Sequence, residues 1–372
     1  MKFGIFYELQ LPRPWAPDAE SRIYHESLDQ IELADSLGYD YAWEVEHHFL
    51  EEYSHSSAPE VFLAAASQRT KNIRLGHGIV LLPPPFSHPA RTAERIAALD
   101  IVSNGRVEFG TGESSSRMEL EGFGVPRDEK RAMWEEGLRA VVGMFRDEPA
   151  EFHGKYVDFP PRHVFPKPLQ KPHPPLWVAC TQRETIRMAA RNGIGALTFD
   201  FVNPDEARSL VGDYYSLIRD ECTPLGDAVN ANLAVVASFM CLPDDEKADE
   251  IDYNMRFFRH ALLHYYAPGE NHQPGESDVW QEYVDSPHPF LQAMEVQGRG
   301  CIGTPEYLRE KLRAYEEAGV DQVVFLAQAG QIKHEQIVDS LELFAREVMP
   351  EFKEREEQAQ ERKRELLGQP VA

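Results

Sequence analysis

The sequence predicts a (β/α)8 TIM barrel. Three observations carry that expectation: eight short apolar runs of strand character, helical material after each of them, and too few residues left over for a second domain. A doubly wound open sheet is the runner-up. It is weakened because no G-x-G-x-x-G follows the first strand.

The elements follow in order. "KFGIFY" reads as a strand, and "ESLDQIELADSLG" as an amphipathic helix with Leu28, Ile31, Leu33, Ala34 and Leu37 apolar and Gly38 as its stop. "YDYAWEVE" is the second strand, "PEVFLAAASQRT" a helix, "IRLGHGIVLL" the third strand and "PARTAERIAALDIVS" its helix. "RVEFGTG" and "EKRAMWEEGLRAVVGMF" form the fourth unit. A proline-rich segment, 149–175, then interrupts the alternation and is too rich in ring-locked residues for a helix. "PLWVAC" and "RETIRMAARNG", "GALTFD" and "PDEARSLVGDYYSLIRD", and "NLAVVASFMCL" with a helix over 246–266 resume it. After strand seven a long insertion, 267–300, holds Gly, Pro, His and Trp with weak periodicity. "TPEYLREKLRAYEEAG", "DQVVFLAQAG" and "HEQIVDSLELFAREVMP" complete the repeat. The reading is thus one domain over 1–350, with order ending at Pro350 and a charged, solvated helical tail over 351–372.

Composition narrows the partners. The chain has 372 residues, 42% hydrophobic and 27% charged, enough for a large core. A net charge of -24 argues against nucleic acid or an anionic membrane as a partner. No apolar run is long enough to cross a membrane, and the opening stretch meets Glu8 and prolines too early for a signal peptide. The four cysteines are scattered and suggest reduced thiols, so a cytoplasmic location is expected.

In a barrel the site lies at the carboxyl ends of the strands. Polar residues gather there: Glu8 after strand one, "EHH" (46–48) after strand two, His77-Gly78 within strand three, Gly112 to Arg117 after strand four, Cys180-Thr181-Gln182 after strand five and Asp200 after strand six. His47 and His48 are neighbours and point to opposite faces of a regular strand, and no HExxH exists, so no metal is expected. An imidazole acid or base oriented by a carboxylate fits better. Gly112, Ser114, Thr181 and Gln182 can present N–H groups and hydroxyls to an anion, although serines are also ordinary turn and cap residues. Gly78 and Ile79 mark a strand end where a flat ring can approach backbone, or where neighbouring elements simply pack closely.

Together, "MKFGIFYE", "WEVEHHF", "LGHGIVLLP…HPAR…SNGRVEFGTG", "EGFG" and "GTPE…AGVDQVVF" resemble the bacterial luciferase-like flavin monooxygenases, collinearly from Met1 to about Pro350. The resemblance implies reduced FMN supplied by a separate NAD(P)H:flavin reductase. It also implies O2 addition to give a C4a-peroxyflavin that oxygenates a small organic substrate, and a homodimer formed through the helices beside strands two and three. The family's histidine falls on His47 and its carboxylate neighbour on Glu46. The segment under the isoalloxazine ring, which holds a non-proline cis bond in luciferase, falls on Gly78-Ile79. The phosphate region falls on Gly112, Glu113, Ser114, Thr181, Gln182 and Thr185. Glu113 stands where relatives have Arg, and Arg117 is the candidate replacement. Luciferase's reactive cysteine is replaced by Gly112 and its flavin-site Trp by Asp200, which argues against light emission. The alternatives implied are an F420-dependent oxidoreductase of the same superfamily and a non-catalytic partner subunit.

Overall fold

The computed structural model describes residues 1–199, 204–266, 272–286 and 299–368. Asp200 and much of the 267–300 insertion lie outside the described residues. Eight parallel strands close into a ring: β1 (Lys2–Tyr7), β2 (Tyr41–Glu44), β3 (Arg74–His77), β5 (Val107–Gly112), β8 (Leu176–Cys180), β9 (Gly195–Phe199), β10 (Leu233–Cys241) and β12 (Gln322–Leu326), which pairs back to β1. Closure sets aside the open-sheet alternative. The pairs β4 (Val80–Leu81) with β5 and β11 (Cys301–Gly303) with β10 extend the sheet. The helical layer includes α1 (Ala19–Leu37), α2 (Pro59–Arg69), α3 (Pro89–Val102), α4 (Arg117–Gly122), α5 (Lys130–Phe145), α6 (Arg183–Arg191), α7 (Pro204–Glu221), α8 (Ala248–Tyr266) and α9 (Val279–Asp285).

Period-two alternation decides what fills the barrel. Outward residues such as Phe3, Phe239 and Phe325 pack on Phe344 of the helix His334–Glu347, with ring centroids 4.9 to 5.4 Å apart. Inward residues pair bulk with glycine. The Trp43 ring lies where a side chain on Gly76 would sit, and Trp177 does the same over Gly195. The two indoles meet edge to face at 5.3 Å. Below them Glu108 accepts from Trp177 Nε1 at 2.5 Å and pairs with Arg74, so the charges buried in the barrel compensate each other.

The third strand departs from the sequence reading. Its ten residues were expected to run straight, but the backbone breaks at Gly78-Ile79, between β3 and β4. The cause is β5: the His77 carbonyl oxygen and the Ile79 side chain occupy the space that side chains on Gly110 and Gly112 would need. Gly78 N–H turns to the Glu44 carbonyl at 2.7 Å. The Gly78–Ile79 peptide is trans, unlike the luciferase bond, and the cis peptides among the described residues all precede prolines.

The proline-rich segment contains an antiparallel hairpin, β6 (Ala150–His153) with β7 (Asp158–Arg162), a two-stranded setting that tolerates Pro160 and Pro161. Order does not end at Pro350. Helices Met349–Lys353 and Glu356–Leu367 follow, Phe352 is fully buried against Phe3, and Lys363 donates to Asp321 at 2.8 Å. A groove of about 330 Å³ between α7 and the last helix lies at the amino ends of the strands, the end of a barrel that serves stability. Among its charges, Lys363 pairs with Asp321 and Arg355 with Glu316.

Gly110 tests this packing. A methyl group there would stand 1.9 Å from the His77 carbonyl oxygen. Gly110→Ala is expected to lower the unfolding free energy by about 3 kcal/mol, read from the midpoint of chemical denaturation. An unchanged midpoint would contradict the break in β3.

Candidate active site

A cavity of about 140 Å³ opens at the carboxyl ends of the strands. Its first wall comes from the stretch after β2. That strand ends at Glu44, and the loop is held by Ser56, whose hydroxyl donates to the Val45 carbonyl (2.7 Å) while its own carbonyl accepts from His47 N–H (2.8 Å). His47 turns into the cavity. His48 turns away, with Nε2 at 3.2 Å from Glu46 and its ring edge on Phe123. Glu46 accepts from Leu81 N–H at 2.7 Å and so ties the loop to β4 rather than orienting His47.

The carboxylate that orients His47 is Glu119, from α4. Its Oε1 stands 3.0 Å from His47 Nδ1 and accepts from His48 N–H at 2.9 Å, and its Oε2 accepts from the Ser114 hydroxyl at 2.5 Å. Ser114 adopts a left-handed backbone (φ 61°), which turns the chain from β5 back over the cavity. Glu119 is fully buried. On the other side of the imidazole, Glu8 Oε2 lies 3.5 Å from Nε2, and Tyr53 donates to Glu8 Oε1 at 3.1 Å. Leu9, also left-handed (φ 51°), reverses the chain directly after Glu8.

These groups set each other's charge. Burial alone would depress His47, but the Glu119 and Glu8 carboxylates outweigh it and raise its pKa to about 9. Burial raises Glu8 to about 7, opposed by His47 and by the Tyr53 hydroxyl. Burial would also raise Glu119, yet the His47 cation and its hydrogen bonds carry it below the usual carboxylate range. At neutral pH the pair is therefore an imidazolium and a carboxylate. Its linkage follows from the raised His47 pKa: the stabilisation is complete below the ordinary imidazole value of 6.5 and is lost as pH rises through about 9.

The far end of the cavity is built from β5, α5 and α6. Gly78, Ile79 and Gly112 line its floor, and Ser114, Ser115, Thr181, Thr185 and Arg131 its rim. No side chain caps the N-terminus of α6, which leaves first-turn N–H groups free for a ligand. Glu113, the residue that conflicts with an anion, is matched by two cations: Lys130 Nζ at 3.1 Å and Arg131 Nε at 3.0 Å.

Of the sequence candidates, His47, Gly78, Ile79, Gly112, Ser114, Thr181 and Thr185 meet around this one cavity. Glu46 and Gln182 adjoin it without lining it. Arg117 points to solvent and pairs with Glu121 at 2.6 Å, so the cations near Glu113 are Lys130 and Arg131 instead. Sequence reasoning passed over Glu119, Tyr53, Tyr266 and Arg131. Glu119 had a signal, since it lies a few residues beyond the fourth strand on the side where sites form. Tyr266, at the end of α8, had none.

The whole chain has relatives. A family model described as luciferase-like monooxygenase matches residues 1–322. The oxygenase component of the flavin-dependent trigonelline monooxygenase of Acinetobacter baylyi is 27% identical, over 95% of this chain and 96% of that one. The limonene 1,2-monooxygenase of Rhodococcus erythropolis is also 27% identical, over 94% and 86%. Among solved structures, the monooxygenase RslO1 from Streptomyces bottropensis superposes with a TM-score of 0.78 at 28% identity, covering 95% of this chain and all of that one.

The charge assignment has a direct check. Glu119→Gln removes the anion that outweighs burial. The His47 midpoint is expected to fall from about 9 to or below the ordinary imidazole value. Histidine-labelled NMR titration measures it, and a midpoint that stays near 9 would disprove the pairing.

Proposed function

The chain belongs to the luciferase-like monooxygenase family, and from that premise we propose that it is the oxygenase component of a two-component system. It uses reduced FMN and O2 to place one oxygen atom on a small organic substrate. A separate NAD(P)H:flavin reductase supplies the reduced flavin, in keeping with the "oxygenase component" of the trigonelline enzyme. The observation that carries the reading is the juxtaposition, in one cavity, of the buried His47–Glu119 ion pair with a floor made by Gly78, Ile79 and Gly112.

The residues present fit FMN. Gly78, Ile79 and Gly112 line the floor of the cavity, which would take the isoalloxazine ring. Ser114, Ser115, Thr181, Thr185 and Arg131 supply hydroxyls and a cation for its phosphate, beside the open N-terminus of α6. When bound, the reduced flavin supplies the electrons that activate O2. His47 holds a proton: Nδ1–H is committed to Glu119, and Nε2–H faces the cavity, placed to donate to oxygen. Tyr53 and Tyr266 shield the imidazole from water with rings 5.3 and 6.3 Å away.

The insertion after β10 serves as a lid in this reading. Its described helix α9 is anchored to the loop after β2, because buried Glu52 accepts from Val279 N–H (2.7 Å) and Trp280 N–H (3.1 Å). The F420-dependent alternative drew its weight from Glu113, whose charge is compensated by Lys130 and Arg131. A supporting subunit has no use for a buried ion pair facing a cavity. Dimerisation fits α2 and α3, where Val61, Ile101 and Val102 are exposed.

Anaerobic titration is expected to show reduced FMN binding far more tightly than reduced F420. With FMN, flavin reductase, NADH and isotopically labelled O2, a panel of aldehydes, ketones, terpenes, amines and quaternary nitrogen compounds should include one that yields a product carrying one labelled oxygen. Binding of F420 in preference, or unlabelled products throughout, refutes the proposal. His47→Asn should keep flavin affinity and lose about 100-fold or more of the oxygenation rate.

A further inference from the structure

Two carboxylates and one imidazolium share the inner end of the cavity, so a single cation faces two anions and only one carboxylate has both oxygens hydrogen-bonded. The Glu119 oxygens are taken up by His47 Nδ1–H, His48 N–H and the Ser114 hydroxyl. Glu119 and His47 thus form a closed, neutral pair. Glu8 is left over. It is 1% exposed, its Oε1 accepts only from Tyr53, and its Oε2 has no hydrogen-bond partner. At 3.5 Å, His47 Nε2 is too far to supply one. Strand parity explains why this carboxylate faces the cavity. Gly4 and Phe6 of β1 point into the barrel, where their neighbours are Tyr41 and Gly78, and Glu8 continues the same side.

A buried carboxylate that shares its one counter-ion with a second carboxylate and leaves an oxygen without a hydrogen bond is costly, and a ligand that supplies the missing charge relieves it. The surrounding surface states what kind. Tyr53, Phe199 and Tyr266 line the cavity beside Glu8, with Tyr53 and Phe199 each stacked on Phe258 at 5.3 and 6.1 Å. A carboxylate among aromatic faces suits an organic cation, held by charge and by the ring quadrupoles. We propose that the substrate is a cationic organic molecule, an amine or quaternary nitrogen compound, seated on Glu8 against Tyr53, Phe199 and Tyr266. The inference rests on the oxygenase reading and names its substrate class. It also gives the cavity two ends of opposite sign, with Lys130 and Arg131 toward the phosphate and Glu8 toward the substrate.

The titratable groups acting on Glu8 are His47, Glu119, Tyr53, Tyr266 and Glu44. Glu8 ionises near neutrality in the empty protein, so a cation should bind more tightly as pH rises from about 6 to about 8. Suitable probes are benzylammonium, benzyl alcohol and benzoate, titrated calorimetrically into the full chain at about pH 8. Benzylammonium should bind at least about tenfold more tightly than either of the others. Glu8→Gln should erase that preference and melt at or above the parent at this pH, because it removes a buried charge; Glu8→Asp should keep the preference in weakened form. Equal binding of the three probes, no binding of any, or a preference that survives Glu8→Gln overturns the proposal. Reduced FMN is titrated into the same samples: loss of flavin binding with the cation preference intact sinks the oxygenase reading alone.

Discussion

A buried cation requires a buried anion, and the candidate site is organised around meeting that requirement. His47 is charged at neutral pH because Glu119 stands 3.0 Å away. Glu119 is charged because three donors converge on it from separate parts of the loops after β2 and β5. Neither group would keep its charge alone, since burial opposes ionisation of both. The pair therefore fixes the α4 segment against the EHH loop. It also dedicates one imidazole nitrogen to a structural bond and leaves the other for chemistry. An imidazole whose Nδ1–H is committed in this way has a defined tautomer and a defined direction of proton delivery.

The cavity exists because the barrel is filled unevenly along its axis. Trp43 and Trp177 occupy the middle, lying over Gly76 and Gly195, and the Arg74–Glu108 pair closes the lower part. Above them the inward positions are Gly78 on one strand and Gly110 and Gly112 on another, whose room is taken by the Phe6 ring, the His77 carbonyl and the Ile79 side chain, and the cavity borders Gly78, Ile79 and Gly112. The same lack of side chains lets the chain break at Gly78-Ile79 and lays Ile79 across β5. Sequence positions that look like weak strand residues are the ones that let neighbouring strands and side chains approach this closely.

Much of this was legible beforehand. Eight strands could be counted because each apolar run is short, bounded by turn residues and followed by a helical period. The closed ring then follows from the number of units. The ends of those strands located His47, Gly78, Gly112, Ser114 and Thr181 in one place, and the family resemblance added Thr185. What escaped was pairing across the sequence. Glu46 adjoins His47 in the chain and was assigned its partner, yet the loop geometry sends that carboxylate to Leu81 N–H and brings Glu119 from 72 residues away. Arg117 was chosen for its proximity to Glu113, but helix α4 carries it outward to Glu121. The first turn of α5 escaped too, for only folding sets its Lys130 and Arg131 on Glu113. The tail after Pro350 read as solvated because its composition is charged, while a single aromatic, Phe352, anchors its first helix in the core.

Net charge poses the last question. A chain of -24 repels a phosphate at long range, so any anion site within it must be made by local groups. At the rim of the cavity the local groups are two cations for one carboxylate at Glu113, hydroxyls on both neighbouring loops and the uncapped start of α6. The carboxylate is then part of the device rather than an obstacle to it. Glu113 holds Lys130 and Arg131 at the rim, and Lys130 also donates to the Ser114 carbonyl, fixing the same turn whose hydroxyl reaches Glu119. One short loop after β5 thereby joins the cationic end of the cavity to the acid–base end.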